Sequence, residues 1–108
     1  MFEGKYYSLS LEKYASNVVE RCLEKDQNIL NKYIEEIIDS EKIYEVMRSN
    51  FGNYVIQKAI KLSKNENKQK LVFNAAKDIN KLNDPKLIIK WKSILLNYLN
   101  DFEKENTN

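Results

Sequence analysis

The stretch YASNVVERCL at residues 14–23 lies over FGNYVIQKAI at residues 51–60 at an offset of 37 positions, and this internal match decides how the chain is read. In register, Tyr14 meets Phe51, Ala15 meets Gly52, Val18 meets Val55, Val19 meets Ile56, Arg21 meets Lys58, Cys22 meets Ala59 and Leu23 meets Ile60, so seven pairs keep their physical character. Three pairs change chemistry: Ser16 with Asn53, Asn17 with Tyr54, and Glu20 with Gln57. A constant scaffold carrying a variable triplet is the pattern of a repeat that performs one task on different objects.

Leu11, Tyr14, Ala15, Val18, Val19, Cys22 and Leu23 recur at helical spacing, an amphipathic stripe that predicts a helix. The opposite face carries Lys13, Ser16, Asn17, Glu20 and Glu24. Side chains four apart stack on one helix face, so Ser16 is expected beside Glu20 and Asn53 beside Gln57, with Asn17 and Tyr54 one step around. Tyr14 and Phe51 fall on the apolar stripe and are expected in the core, and Trp91 in core or cap packing.

Working outward, Asp26 can cap a helix reaching about Ile38, supplied with apolar spacing by Leu30, Tyr33, Ile34, Ile37 and Ile38. Ser40 opens a short segment whose Ile43, Tyr44, Val46 and Met47 are expected to be buried. The polar run SKNENK (63–68) reads as a loop, and Leu71, Val72, Ala75, Ala76 and Ile79 mark the next helix. Asp84 before Pro85 is a helix start, and the last helix runs through Leu87, Ile88, Trp91, Leu95 and Leu99. The tail DFEKENTN is expected to fray. The unit is therefore a short helix, a long amphipathic helix and a third helix, about forty residues, which buries its apolar faces only by stacking on neighbours.

Composition sets bounds on function. With 108 residues there is one domain or part of one, and two glycines and one proline favour an all-α chain. A net charge of +2 is far too small for affinity built on blanketing phosphates, so recognition of nucleic acid must rest on bases. Residues 1–40 hold five basic against eight acidic side chains and residues 41–108 hold thirteen against eight, leaving only the second part mildly basic. Cys22 is the only cysteine, which excludes an intrachain disulfide and a thiolate-rich metal site. There is no histidine, so the commonest general base is missing, and Glu35 and Glu36 read as a solvated helix face. No catalytic residue, metal or cofactor is expected. The first ten residues lack the apolar core of a signal peptide and no apolar run spans a membrane, which points to a soluble, cytoplasmic protein.

SNVVERC and NYVIQKA resemble the seventh and eighth repeats of the Pumilio/FBF (PUF) family of RNA-binding proteins. LSLEKYASNVVERCLE looks like the penultimate repeat, IYEVMRSNFGNYVIQKAI like the last, and residues from about Leu82 onward, more weakly, like the C-terminal helical cap. The resemblance implies a right-handed α-solenoid of three-helix repeats, divided here into residues 1–40, 41–82 and 83–108, each repeat holding one unstacked base. It implies that Ser16 and Glu20 contact the edge of guanine while Asn17 lies against its face, and that Asn53 and Gln57 contact uracil while Tyr54 stacks. With RNA running antiparallel to the protein, the segment would read 5′-UG-3′, the start of a UGUA-type element in messenger RNA 3′ untranslated regions. The implied role is post-transcriptional regulation, commonly translational repression, with single-stranded RNA rather than DNA as partner. A complete domain of this family resembles eight repeats, so the two here are expected to belong with further repeats or with a docking protein, and to bind RNA weakly alone.

The residue chemistry agrees independently. Guanine offers two adjacent donors, N1–H and the N2 amine, which suit the two acceptor oxygens of Glu20. Uracil flanks one donor with acceptors at O2 and O4, which suits the amides of Asn53 and Gln57 better than a carboxylate. Base stacking on Tyr54 adds about 1–3 kcal/mol. Arg21 and Lys58 recur at one repeat position and could approach the phosphate backbone or be solvated or ion-paired. Two rivals stand beside the RNA reading. One is an α-solenoid that binds proteins, as an armadillo-like scaffold or a degenerate PUF-like fragment without RNA specificity. The other is a small carboxylate enzyme, for which no convergent pocket motif is visible.

Overall fold

In a computed structural model, the backbone of residues 4–106 is described, with side chains to residue 100 except at position 40. Its elements are α1 (Tyr6–Ser10), α2 (Ala15–Lys25), α3 (Gln27–Ile37), α4 (Ser40–Arg48), α5 (Gly52–Leu62), α6 (Asn65–Lys77), a 3-10 turn (Ile79–Leu82) and α7 (Pro85–Asn106). Every element among the described residues is helical, and the order short, long, long recurs in α1–α3 and α4–α6.

Single polar residues make the corners. Asp26 leaves α2 in extended conformation and its Oδ1 accepts from the Asn28 amide at 2.9 Å, so one residue ends α2 and caps α3. Asp39 repeats this for α4, accepting from the Glu41 amide at 3.0 Å. The expected cap at Asp84 is present, its Oδ1 accepting from Lys86 N at 3.0 Å ahead of Pro85. Run 63–68 departs from the loop reading: α6 already starts at Asn65, and only Ser63 and Lys64 connect the helices. Ser63 is buried with its hydroxyl donating to the Ile60 carbonyl, and Asn65 takes a φ of 53°, a left-handed conformation that asparagine tolerates, so the turn closes in fewer residues than its polarity suggests.

The outer helices bury most of the apolar side chains assigned to them, but Ile38 is half-buried, Ala76 is exposed and Ile79 lies past α6 in the 3-10 turn. Leu30, Tyr33, Ile34 and Ile37 of α3, Ile43, Tyr44, Val46 and Met47 of α4, and Leu71, Val72 and Ala75 of α6 join one core. Two long-range bonds hold this core in register. The Tyr44 hydroxyl donates to the Asn74 carbonyl at 2.9 Å and accepts from the Asp78 amide at 2.7 Å, fixing the end of α6 on α4. Trp91, fully buried as expected, donates Nε1–H to the Met47 carbonyl at 3.1 Å and seats α7 on the end of α4.

Two expectations about apolar residues need correction. Tyr14 is 76% exposed and Phe51 is 37% exposed, so neither is a core residue, and Val18 is exposed as well. The buried side of α2 is Ser16, Val19 and Leu23, about one residue around from the apolar stripe. The two repeats differ in cover: α5 packs against α2, α4 and α6 and buries Val55 and Ala59, while the matching α2 positions are exposed Val18 and half-buried Cys22. In α7, Leu99 is exposed although Leu95 is buried, and the helix runs through Asn106. The last two residues of the tail lie outside the described residues.

Candidate nucleic-acid interface

The polar triplets sit on α2 and α5, two helices packed directly against each other. On α5 the flanks are covered, since Gly52, Asn53, Val55, Ile56, Ala59 and Ile60 are all buried. What remains open is a narrow stripe: Tyr54 at 58% exposure, half-buried Gln57 and Lys58, and exposed Lys61. On α2 the open side is broader, with Asn17, Arg21 and Glu24 exposed and Glu20 half-buried.

The first member of each triplet is not on the open surface. Ser16 is only 4% exposed and Asn53 only 8%, where the sequence reading put both on the polar face. Both lie beneath the third member, because the helix side they occupy is shared with buried Val19 and Leu23 in one case and with Ile56 and Ile60 in the other. Their hydrogen bonds run downward to the preceding turn. Ser16 Oγ donates to the Lys13 carbonyl at 3.1 Å, and Asn53 Nδ2 donates to the Ser49 carbonyl at 2.6 Å. Gln57 Nε2 in turn donates to Asn53 Oδ1 at 3.2 Å.

Charged neighbours frame the triplets. Lys58 Nζ meets Glu24 Oε1 at 2.6 Å across the two helices, so of the two cations considered for phosphate contact this one is ion-paired. The hydrogen bond from Lys58 holds the Glu24 carboxyl below its ordinary range, and the same bond, with Glu20 also in electrostatic reach, raises the Lys58 ammonium. Arg21 is exposed on the same face, and its charge also favours the ionised Glu24.

Two contributors were missed by reading the sequence. Ser49 caps α5, its Oγ accepting from Gly52 N at 2.9 Å and Phe51 N at 3.2 Å, while its carbonyl holds Asn53. The signal was local, a serine three residues ahead of the helix start. Tyr98 of α7 donates its hydroxyl to the Gln57 backbone carbonyl at 3.2 Å, a contact across 41 residues for which no local signal exists. Among the described residues no group of His, Cys, Asp and Glu could hold a metal ion, and no helix is long and apolar enough to cross a membrane.

Two stacked three-helix units, each with a variable polar triplet on its middle helix, define an α-helical repeat protein. The model of the Pumilio-family RNA binding repeat matches residues 5–38 and 42–73, and the chain belongs to that family. It is 46% identical over 63 residues to Pumilio homolog 12 of Arabidopsis thaliana, covering 57% of this chain and 11% of that protein. A Pumilio domain-containing protein of Schizosaccharomyces pombe is 38% identical over 60 residues, which cover 55% of this chain and 9% of the relative. Pumilio homolog 18 of Arabidopsis thaliana is 32% identical over 62 residues, 56% of this chain and 19% of that relative. The chain thus spans only a small part of the length of these relatives. No solved structure matches it.

Proposed function

We propose that this chain forms part of the base-reading face of a sequence-specific single-stranded RNA-binding protein, with α2 selecting guanine and α5 selecting uracil in a 5′-UG-3′ step. In this reading residues 1–40 and 41–82 are successive repeats and 83–108 a cap, and the complete protein carries further repeats. The observation that carries it is the pairing, on adjacent helices, of a flat side chain with a hydrogen-bonding edge: Asn17 with Glu20, and Tyr54 with Gln57. Glu20 presents two acceptors to the two donors of guanine, and Gln57 presents a donor and an acceptor to uracil. Tyr54, exposed on the same stripe, supplies a stacking surface. Ser16 and Asn53 complete the two edges from beneath. Lys58 is committed to Glu24, which leaves Arg21 as the freer candidate for a phosphate. The biological role is post-transcriptional control of messenger RNAs through UGUA-type elements in 3′ untranslated regions, in the cytoplasm and by binding without catalysis.

The test is competition binding of the complete protein with RNAs varied at one nucleotide. Glu20→Gln should erode the preference for guanine at its position and leave the uracil position unchanged. Binding indifferent to nucleotide identity would sink the proposal.

One observation favours a protein partner as well. Exposed Phe73 and Leu99, with Val72, Ala76 and Tyr98, line an apolar groove between α6 and α7. None of the triplet side chains lines it, although Tyr98 in its wall bonds the Gln57 backbone carbonyl.

A further inference from the structure

We infer that Glu24 limits the affinity of this chain for RNA by holding Lys58 away from the phosphate backbone. The inference rests on RNA lying along α2 and α5, as proposed above, and not on which base either helix selects.

Arg21 and Lys58 hold the same repeat position, each one residue past the third member of its triplet, yet their surroundings differ. Arg21 is exposed on α2. Lys58, on the open stripe of α5 beside Gln57, is met by a carboxylate from the other helix: its Nζ lies 2.6 Å from Glu24 Oε1, with 28% of the Lys58 side chain and 45% of the Glu24 side chain exposed. Glu24 stands one turn beyond Glu20 on α2, and Glu20 also lies in electrostatic reach of Lys58. Two acidic groups of α2 therefore act on the cation that adjoins the α5 triplet.

A phosphate approaching Lys58 meets a cation whose charge is already matched. Contact with RNA requires the pair to open and leaves the Glu24 carboxylate unpaired beside a polyanion, so the gain from one interaction is offset by the loss of the other. The pair reaches solvent and is weak, which makes it a partial restraint and not a lock. With a net charge of +2, one cation is a large share of what this chain offers to a backbone. Attraction to phosphates is blind to sequence, so muting a cation here lowers binding to every RNA alike and raises the share of affinity that depends on bases.

A purely structural brace predicts the opposite sign. If the pair served only to join α2 to α5, breaking it would loosen the two helices that carry the triplets and weaken RNA binding. A restraint on Lys58 predicts that losing Glu24 strengthens it.

The experiment measures binding of the complete protein to two unstructured RNAs, one carrying 5′-UG-3′ and one of adenines only, over a series of potassium chloride concentrations. Glu24→Gln keeps the size of the side chain and removes its charge. It should tighten binding to both RNAs by the same factor, roughly two- to fivefold at low salt, and steepen the slope of log K against log salt by about 0.7. Adding Lys58→Met to Glu24→Gln should return affinity and slope to those of the parent, because a matched cation and an absent one look alike to a phosphate. Glu35→Gln, the same loss of charge at an exposed site on α3, should change neither. An unchanged slope in Glu24→Gln, a gain that survives Lys58→Met, or an equal gain from Glu35→Gln would overturn the inference. A parent that binds RNA without base preference would discredit the assignment of guanine and uracil while leaving this outcome intact, and one that binds no RNA would remove both.

Discussion

The Tyr98 hydroxyl donates to the backbone carbonyl of Gln57 at 3.2 Å, so the last helix is fastened to the open stripe of α5 at the residue that carries the reading amide. Tyr98→Phe keeps the ring and removes this bond, and should lower stability by about 0.5–1.5 kcal/mol. Urea denaturation checks the loss, and a change in NMR shifts centred on Gln57 should accompany it. Shifts confined to α7 would refute the link.

Two buried tyrosines should respond unequally to loss of the hydroxyl. Tyr44 bonds both the Asn74 carbonyl and the Asp78 amide, so Tyr44→Phe leaves those groups unpaired and should cost about 1–3 kcal/mol. Among the described residues the buried Tyr33 hydroxyl makes no hydrogen bond within ordinary geometry, with the Ser10 side chain interacting only weakly with it, so Tyr33→Phe should cost less than Tyr44→Phe, within about 1 kcal/mol of neutral. Equal losses in thermal melts of the two variants would contradict this account.

The Glu24–Lys58 pair predicts a pH signature. Glu24 is held below its ordinary value of 4.5, chiefly by the hydrogen bond from Lys58, so it binds its proton later in the folded chain than in the unfolded one. The pair's stabilisation is then fully present above the unfolded value and is lost as pH falls through the lowered folded one. Carboxyl NMR titration should give Glu24 a midpoint below 4.5, moving upward in Lys58→Met. An unmoved midpoint would show that the pair is not formed in solution. Because both groups reach solvent, the effect on global stability should be small and should shrink with added salt.

Gly52 allows α5 to approach its neighbours. A Cβ there would meet Leu11 Cδ2 at 3.1 Å, and Ser49 Cβ and Val46 Cγ1 at 3.2 Å. Gly52→Val adds a Cβ and two methyl groups to a space already tight for the Cβ alone, and should destabilise by about 1–3 kcal/mol. The midpoint of urea unfolding measures it, and an unchanged midpoint would mean that α4 and α5 pack more loosely than described.

Reading the sequence recovered the helices well because their determinants are local. Asp26 and Asp84 cap where expected, and Ile43, Tyr44, Val46 and Met47 of α4 are buried as expected. The offset of 37 residues also singled out the two helices that carry the triplets. What it could not supply was set by neighbours distant in sequence. Tyr14 and Phe51 are apolar and in phase, yet their burial depends on what stacks against each edge, and periodicity does not know that. Ser16 and Asn53 are polar and in phase with Glu20 and Gln57, yet the packing of α2 on α5 takes them below the surface. The Ser49 carbonyl was invisible for a different reason, since a backbone acceptor leaves no trace in residue type.

The unequal cover of the two middle helices has a dynamic consequence. In a stack whose units hold only their neighbours, opening begins at the side with least cover. Val55, Ile56, Ala59 and Ile60 of α5 are sealed completely, whereas Val18 of α2 and Tyr14 just before it are exposed. Amide hydrogens of α1 and α2 should therefore exchange with deuterium well before those of α5. The uracil-reading helix would then be the steadier of the two, and the guanine-reading helix the one whose order depends on what lies beside it.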